Sequence, residues 1–269
     1  MSSPSLLATR FAALRQAGRP AFIPFLTAGD PSLTATGELV DAVIQAGADV
    51  VEIGFPYSDP LADGPVIQAS YTRALRAGCR LASLLEAART WTASHPETPF
   101  VAMAAYSIAY RRGIDDFLAG LKEAGFAGLI LPDLPIEEAE AVRAAATARG
   151  LDLIQLVTPT TPLDRARSVA ECGSGFLYVV SVTGVTGARR ELPQELIQQL
   201  EQLRGLTTLP LCVGFGISAP DQAALLRPHV DGVIVGSALV RLLEQERPWP
   251  ATVAEVRRHV AELRAALGP

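Results

Sequence analysis

Short apolar segments alternate with stretches of helical spacing from one end of this 269-residue chain to the other. The segments that read as strands are 21–27, 49–53, 99–104, 128–131, 152–157, 176–181, 209–213 and 232–235, rich in β-branched and aliphatic residues. Helical stretches occupy 34–45, 66–77, 81–92, 114–124, 136–148, 163–171, 193–204 and 220–226, with a closing pair at 237–244 and 251–267. Asp30-Pro31 and Ala219-Pro220 open helices with the backbone angle proline fixes. Gly47 and Gly150 follow helices, where a left-handed cap needs no side chain. Alternation of this kind demands parallel strands joined by crossover helices. Eight units predict an α/β fold, a (β/α)8 (TIM) barrel formed by residues 1–269 as one domain. A doubly wound open sheet is the alternative.

Two extra elements are expected. Leu7, Phe11 and Leu14 fall on one helical face, predicting an N-terminal helix that covers one end of the fold. Residues 1–20 carry Arg10, Arg15 and Arg19 with no acid, as a transit peptide would, but a strand begins at once at Ala21. The second extra element is the short helix at 237–244, after the eighth strand.

Charge and cysteine content narrow the function. The net charge is −5 with no basic stripe, which argues against nucleic acid as a partner. Cys79, Cys172 and Cys212 have no metal-ligand spacing and fit reduced thiols. His95, His229 and His259 lie beside prolines or in a charged terminal helix and are expected at the surface. No apolar run reaches the roughly 18 residues a membrane span needs. The expectation is a cytoplasmic protein without a metal or cofactor of its own.

Glu52 is the residue that bears on chemistry. It interrupts the apolar run Val50-Val51-Glu52-Ile53, and a proline-rich loop with two further acids, Asp59 and Asp63, follows it. A carboxylate in such a strand is costly to desolvate, so it is paired, protonated or used. The alternative is the solvated face of an edge strand, although no second polar residue follows at the strand period. In a barrel, active groups gather where strands end and βα loops begin. Gly214-Phe215-Gly216-Ile217-Ser218 and Val235-Gly236-Ser237-Ala238 follow the last two strands. Glycines there let backbone N–H groups approach an anion, and barrel enzymes often hold phosphate at this pair of loops. Gly184 and Gly187 in the sixth loop are further donors. A tight strand-to-helix turn explains each glycine pair equally well. No Gly-Lys-Ser/Thr loop exists, so the phosphate reads as a handle on the substrate.

These residues resemble the tryptophan synthase alpha family over nearly the whole chain. The likeness rests on the runs at 24–31, 52–65, 132–135, 181–187 and 214–218, that at 52–65 being the most specific. It implies cleavage of indole-3-glycerol phosphate to indole and glyceraldehyde 3-phosphate, and an alpha2beta2 complex with a beta subunit that carries pyridoxal phosphate. By the resemblance Glu52 is the general acid/base, Asp63 stabilises the indole N–H, and Tyr178 stands beside the glutamate. Asp63 could instead cap the following helix, and Tyr178 could be a core aromatic. Phe25 and Leu131 are apolar enough to line an indole slot. Thr186 lies on a loop that would close over Asp63. Gly187, Gly216, Gly236 and Ser237 would meet the phosphate. Asp59, Pro60, Ser107 and Asp133 would face the beta subunit, Asp59 having a turn-forming role before Pro60 as its alternative. After the third strand this chain reads Tyr106-Ser107-Ile108 where the family shows Tyr-Asn-Pro, so a free-standing lyase is the second expectation.

Overall fold

The computed structural model describes residues 4–60, 63–181, 192–214 and 216–268. The chain begins α1 (Leu6–Gln16), β1 (Ala21–Thr27), α2 (Leu33–Gln45), β2 (Val51–Gly54), α3 (Pro65–Arg76), α4 (Leu81–Ser94) and β3 (Phe100–Met103). It continues with α5 (Tyr106–Arg112), α6 (Ile114–Glu123), β4 (Gly128–Ile130), α7 (Ile136–Ala148), β5 (Asp152–Val157), α8 (Leu163–Glu171) and β6 (Leu177–Val180). The last elements are α9 (Gln194–Arg204), β7 (Leu211–Gly214), α10 (Pro220–Leu226), β8 (Gly232–Val235), α11 (Ser237–Leu243) and α12 (Trp249–Ala266). All pairings are parallel, and β8 returns to β1, closing the sheet into the expected barrel.

Strand parity divides the buried residues into two layers. Phe22 and Leu26, Val51 and Ile53, Phe100 and Ala102, and Leu177 and Val179 point outward and pack under the helices. Their neighbours Ile23 and Phe25, Val50, Val101 and Met103, and Phe176 and Tyr178 fill the interior. A side-chain period of two assigns each residue to one layer. Leu7, Phe11 and Leu14 of α1 join the interior cluster, with the Phe11 ring 5.7 Å from Phe176. The N-terminal helix therefore plugs the end of the barrel where strands begin and leaves the other end for the site.

Several element boundaries differ from expectation, each for a local reason. Ser32 caps α2, its side chain accepting from the Ala35 N–H at 3.1 Å, so Pro31 lies outside the first turn and follows a cis peptide bond. β2 starts at Val51 because the Asp49 carboxylate is engaged elsewhere. It accepts both Arg19 nitrogens at 2.7 and 2.9 Å and the Phe22 N–H at 3.0 Å. The helix α5 had no counterpart in the sequence reading. Its first N–H, from Tyr106, donates to the Asp133 carboxylate at 2.6 Å, a cap supplied from 27 residues away. All three histidines are half-buried, and His95 bonds Asp41 at 2.7 Å. Cys79 and Cys212 are buried thiols and Cys172 is half-buried.

Candidate active site

Glu52 lies on the inward face of β2, flanked in register by Phe25 of β1 and Val101 of β3. It is 1 % exposed, and its Oε2 has no hydrogen-bond partner. Burial pushes its pKa from 4.5 up to about 8, with the nearby Asp63 charge adding to the rise. Burial disfavours the ionised form, and a second carboxylate disfavours it further. The edge-strand alternative is thereby excluded: the strand is paired on both sides and the side chain is buried.

Asp63 stands at the end of the loop after β2. Its backbone carbonyl accepts from the Gln68 side chain at 2.7 Å, while its carboxylate bonds no described residue. Gly64, not Asp63, is the N-cap of α3, and no side-chain capping bond is made there. The capping alternative fails, and the carboxylate is left for another use. Burial, then the Asp133 charge, raises its pKa from 3.8 to about 6. Two carboxyls on one site thus ionise in different ranges, which assigns acid and base in other enzymes.

Tyr178 is inward-facing on β6 and fully buried, and burial and the charges of Glu52 and Asp63 hold its phenol well above its ordinary pKa. Its ring occupies the space a side chain at position 214 would need: a Cβ there would meet the Tyr178 hydroxyl and ring carbons. Gly214 is therefore a packing glycine. Gly54 does the same for the Phe25 ring and the Tyr71 hydroxyl.

A cavity of about 230 Å³ joins these residues. Phe25, Glu52, Asp63 and Tyr178 line it together with Gly216, Gly236 and Ser237, so seven of the expected site residues meet in one place. Leu131 does not. Ile130 takes the inward position of β4, so its neighbour Leu131 faces outward and packs in the layer beneath the helices. Met103 and Ile234, inward by parity, supply apolar wall that the sequence reading missed. Arg241 of α11 was also missed; it lies four residues after Ser237, one helical turn along the same face. Thr186 and Gly187 lie outside the described residues.

A second groove, about 270 Å³, opens between the second, third and fourth βα loops. Asp59, Ser107 and Asp133 line it with Tyr57, Ile108 and Arg111. Pro60 is not in its wall; its carbonyl accepts from the Gln68 side chain at 3.1 Å. No group of three metal-ligating side chains is found among the described residues, nor any helix long and apolar enough to cross a membrane.

Two carboxyls lining a cavity at the open end of a closed parallel barrel place the chain among the (β/α)8 barrel proteins. Its family is given by comparison with known proteins. The family described as tryptophan synthase alpha chain matches residues 11–267, and the chain belongs to that family. The tryptophan synthase alpha chain of Rhodopirellula baltica is 51% identical over 238 residues, covering 87% of this chain and 85% of that protein. That of Picosynechococcus sp. is 46% identical over 259 residues, covering 96% and 97%. Among solved structures, tryptophan synthase subunit alpha from Legionella pneumophila str. Paris superposes with a TM-score of 0.90 at 34% identity, covering 98% of this chain and 99% of that one. A chain of Mycobacterium tuberculosis tryptophan synthase gives 0.88 at 35% identity, with the same coverage.

Proposed function

We propose that the cavity around Glu52 is where this chain cleaves indole-3-glycerol phosphate to indole and glyceraldehyde 3-phosphate, the lyase reaction of its family. The observation that carries the assignment of roles is the buried Glu52 carboxyl, its Oε2 without a hydrogen-bond partner and its pKa at about 8. At pH 7 that group holds its proton, while Asp63, at about 6, is ionised. Glu52 gives its proton to the indole carbon that bears the glycerol chain, and the ring nitrogen shares the positive charge. Asp63 accepts the indole N–H and offsets that charge. The carbon–carbon bond then breaks as the adjacent hydroxyl becomes an aldehyde, and the Glu52 carboxylate takes the hydroxyl proton, returning to its starting state. An acid–base group matched to working pH is what this exchange needs.

Tyr178 lines the cavity with Glu52, while Phe25, Met103 and Ile234 form its apolar side, where an indole ring would lie. The N–H groups near Gly216, Gly236 and Ser237 would receive the phosphate, and Thr186 and Gly187 would complete the site from the sixth loop. Proton transfers to and from side chains suffice to drive this carbon–carbon cleavage, so this chain needs no cofactor. Pyridoxal phosphate belongs to a beta subunit that consumes the indole in a cytoplasmic alpha2beta2 complex. The groove lined by Asp59, Ser107 and Asp133, at the same end of the barrel, is the surface we assign to that subunit, with Pro60 at its margin.

Mixing the purified chain with indole-3-glycerol phosphate and measuring indole by chromatography tests the reading. Wild-type chain is expected to release indole. Glu52→Gln should lose about 10²–10⁴ in turnover while still binding the ester, the span general acid–base catalysis covers. Retention of more than a few per cent of turnover would remove Glu52 from its role. Adding a beta subunit should accelerate cleavage. An unchanged rate would favour the free-standing lyase suggested by the Ser107-Ile108 departure.

A further inference from the structure

The phosphate handle brings further negative charge into a cavity that is already lined by acids. A phosphate ester carries close to two negative charges, and the cavity that would receive it already holds the ionised Asp63. Glu52 adds one more negative charge when it gives up its proton, and the chain as a whole is acidic. Among the described lining residues, Arg241 is the sole cation. Its guanidinium makes no hydrogen bond or ion pair with a described residue. The acid nearest in sequence, Glu244, is occupied: it bonds Arg73 at 3.2 Å, and Arg73 is also held by Asp30 at 2.7 and 3.0 Å. No described residue therefore pairs with Arg241, which is exposed. It stands one turn beyond Ser237, whose side of the cavity includes Gly236 and Gly216.

We infer that Arg241 is a specificity-determining residue of this site, its guanidinium taking an oxygen of the phosphate dianion so that the cavity selects phosphate esters over the corresponding alcohols. The inference rests on the proposed reading of the cavity as a phosphate-ester site. Guanidinium suits the task because it stays charged and offers a planar fork of donors to a tetrahedral anion. The contact is made alike in ground and transition states, because the phosphate does not react. Its loss therefore raises KM and leaves kcat nearly alone.

The test compares wild type, Arg241→Gln and Arg241→Lys with two probes, 3-(indol-3-yl)propyl phosphate and its parent alcohol. Arg241→Gln should weaken the phosphate about 10- to 100-fold, the worth of one charge-assisted hydrogen bond, and leave the alcohol within about two-fold. Arg241→Lys should recover most of that loss. Raising salt from about 0.05 to about 0.5 M should weaken the phosphate more in wild type than in Arg241→Gln, since screening acts on the charge that was removed. Equal weakening of both probes would make Arg241 a structural residue, and unchanged phosphate affinity would place it in solvent; either result overturns the inference. Titration with inorganic phosphate separates the two readings. A chain that releases no indole but binds phosphate in an Arg241-dependent manner keeps the anion contact and loses the reaction. Indole release with an affinity indifferent to Arg241 does the reverse.

Discussion

Glu52→Gln should change the stability of this protein in a direction opposite to its effect on activity. In the unfolded chain Glu52 ionises near 4.5, and in the folded one at about 8. Between those values the native state holds a proton that the unfolded state has released, so stability falls as pH rises. The contribution is fully present below pH 4.5 and gone above about 8. One pKa unit is worth about 1.4 kcal/mol, so the buried carboxyl costs the fold about 3 kcal/mol at pH 7 and about 5 kcal/mol at pH 9. The glutamine amide has no proton to lose. It carries its own cost of burial, but that cost is the same at every pH. Asp63, also raised, titrates in both proteins and cancels in the difference. Urea unfolding followed by circular dichroism at pH 5, 7 and 9 reads the effect. The variant should gain on wild type by about 2.5 kcal/mol between pH 5 and pH 7 and by a further 1–2 kcal/mol by pH 9. Parallel stability curves for the two proteins would mean that Glu52 is not held protonated by the fold, and the acid role would fall with it.

Three other outcomes are expected. The profile of kcat/KM against pH should be a bell, rising as Asp63 ionises around 6 and falling as Glu52 loses its proton around 8; a rate still climbing at pH 9 would contradict the assignment. Leu131→Ala should cost about 2–5 kcal/mol of stability, as large-to-small changes in packed layers do, with kcat/KM measured under folding conditions unchanged. A large rise in KM at full folding would return Leu131 to the substrate cavity. Arg19→Ala should destabilise by about 3–5 kcal/mol in thermal or urea unfolding, because it strands the buried Asp49 carboxylate without its partner. An effect below about 1 kcal/mol would class the pair with solvated surface bridges.

Much of this molecule was legible in its residues because its rules are local. The bounds of β1, β5 and β8 and of α7, α8 and α10 coincide with the sequence reading, since hydrophobic period and capping chemistry are written in adjacent residues. Glu52 was visible for the same reason, being a charge in an apolar run. The misses are non-local. The cap of α5 comes from Asp133, which no local pattern around Tyr106 reveals. Gly214 looked like an anion loop and proved to be room for Tyr178, a contact between neighbouring strands. Leu131 was misassigned because a three-residue strand gives too few positions to fix which parity faces inward. Arg241 was overlooked because a long side chain carries its charge far from its own backbone.

The alternation of inner and outer layers along each strand also limits how a chain of this kind can change its length. Losing or gaining one residue within β2 would hand the place of Glu52 to an aliphatic neighbour and thrust the acid among the helices, while every other side chain on that strand changed sides as well. Insertions survive only in connecting segments, and those at the mouth decide what the enzyme touches. Such a scaffold can vary its reach freely while its proton chemistry stays fixed in place.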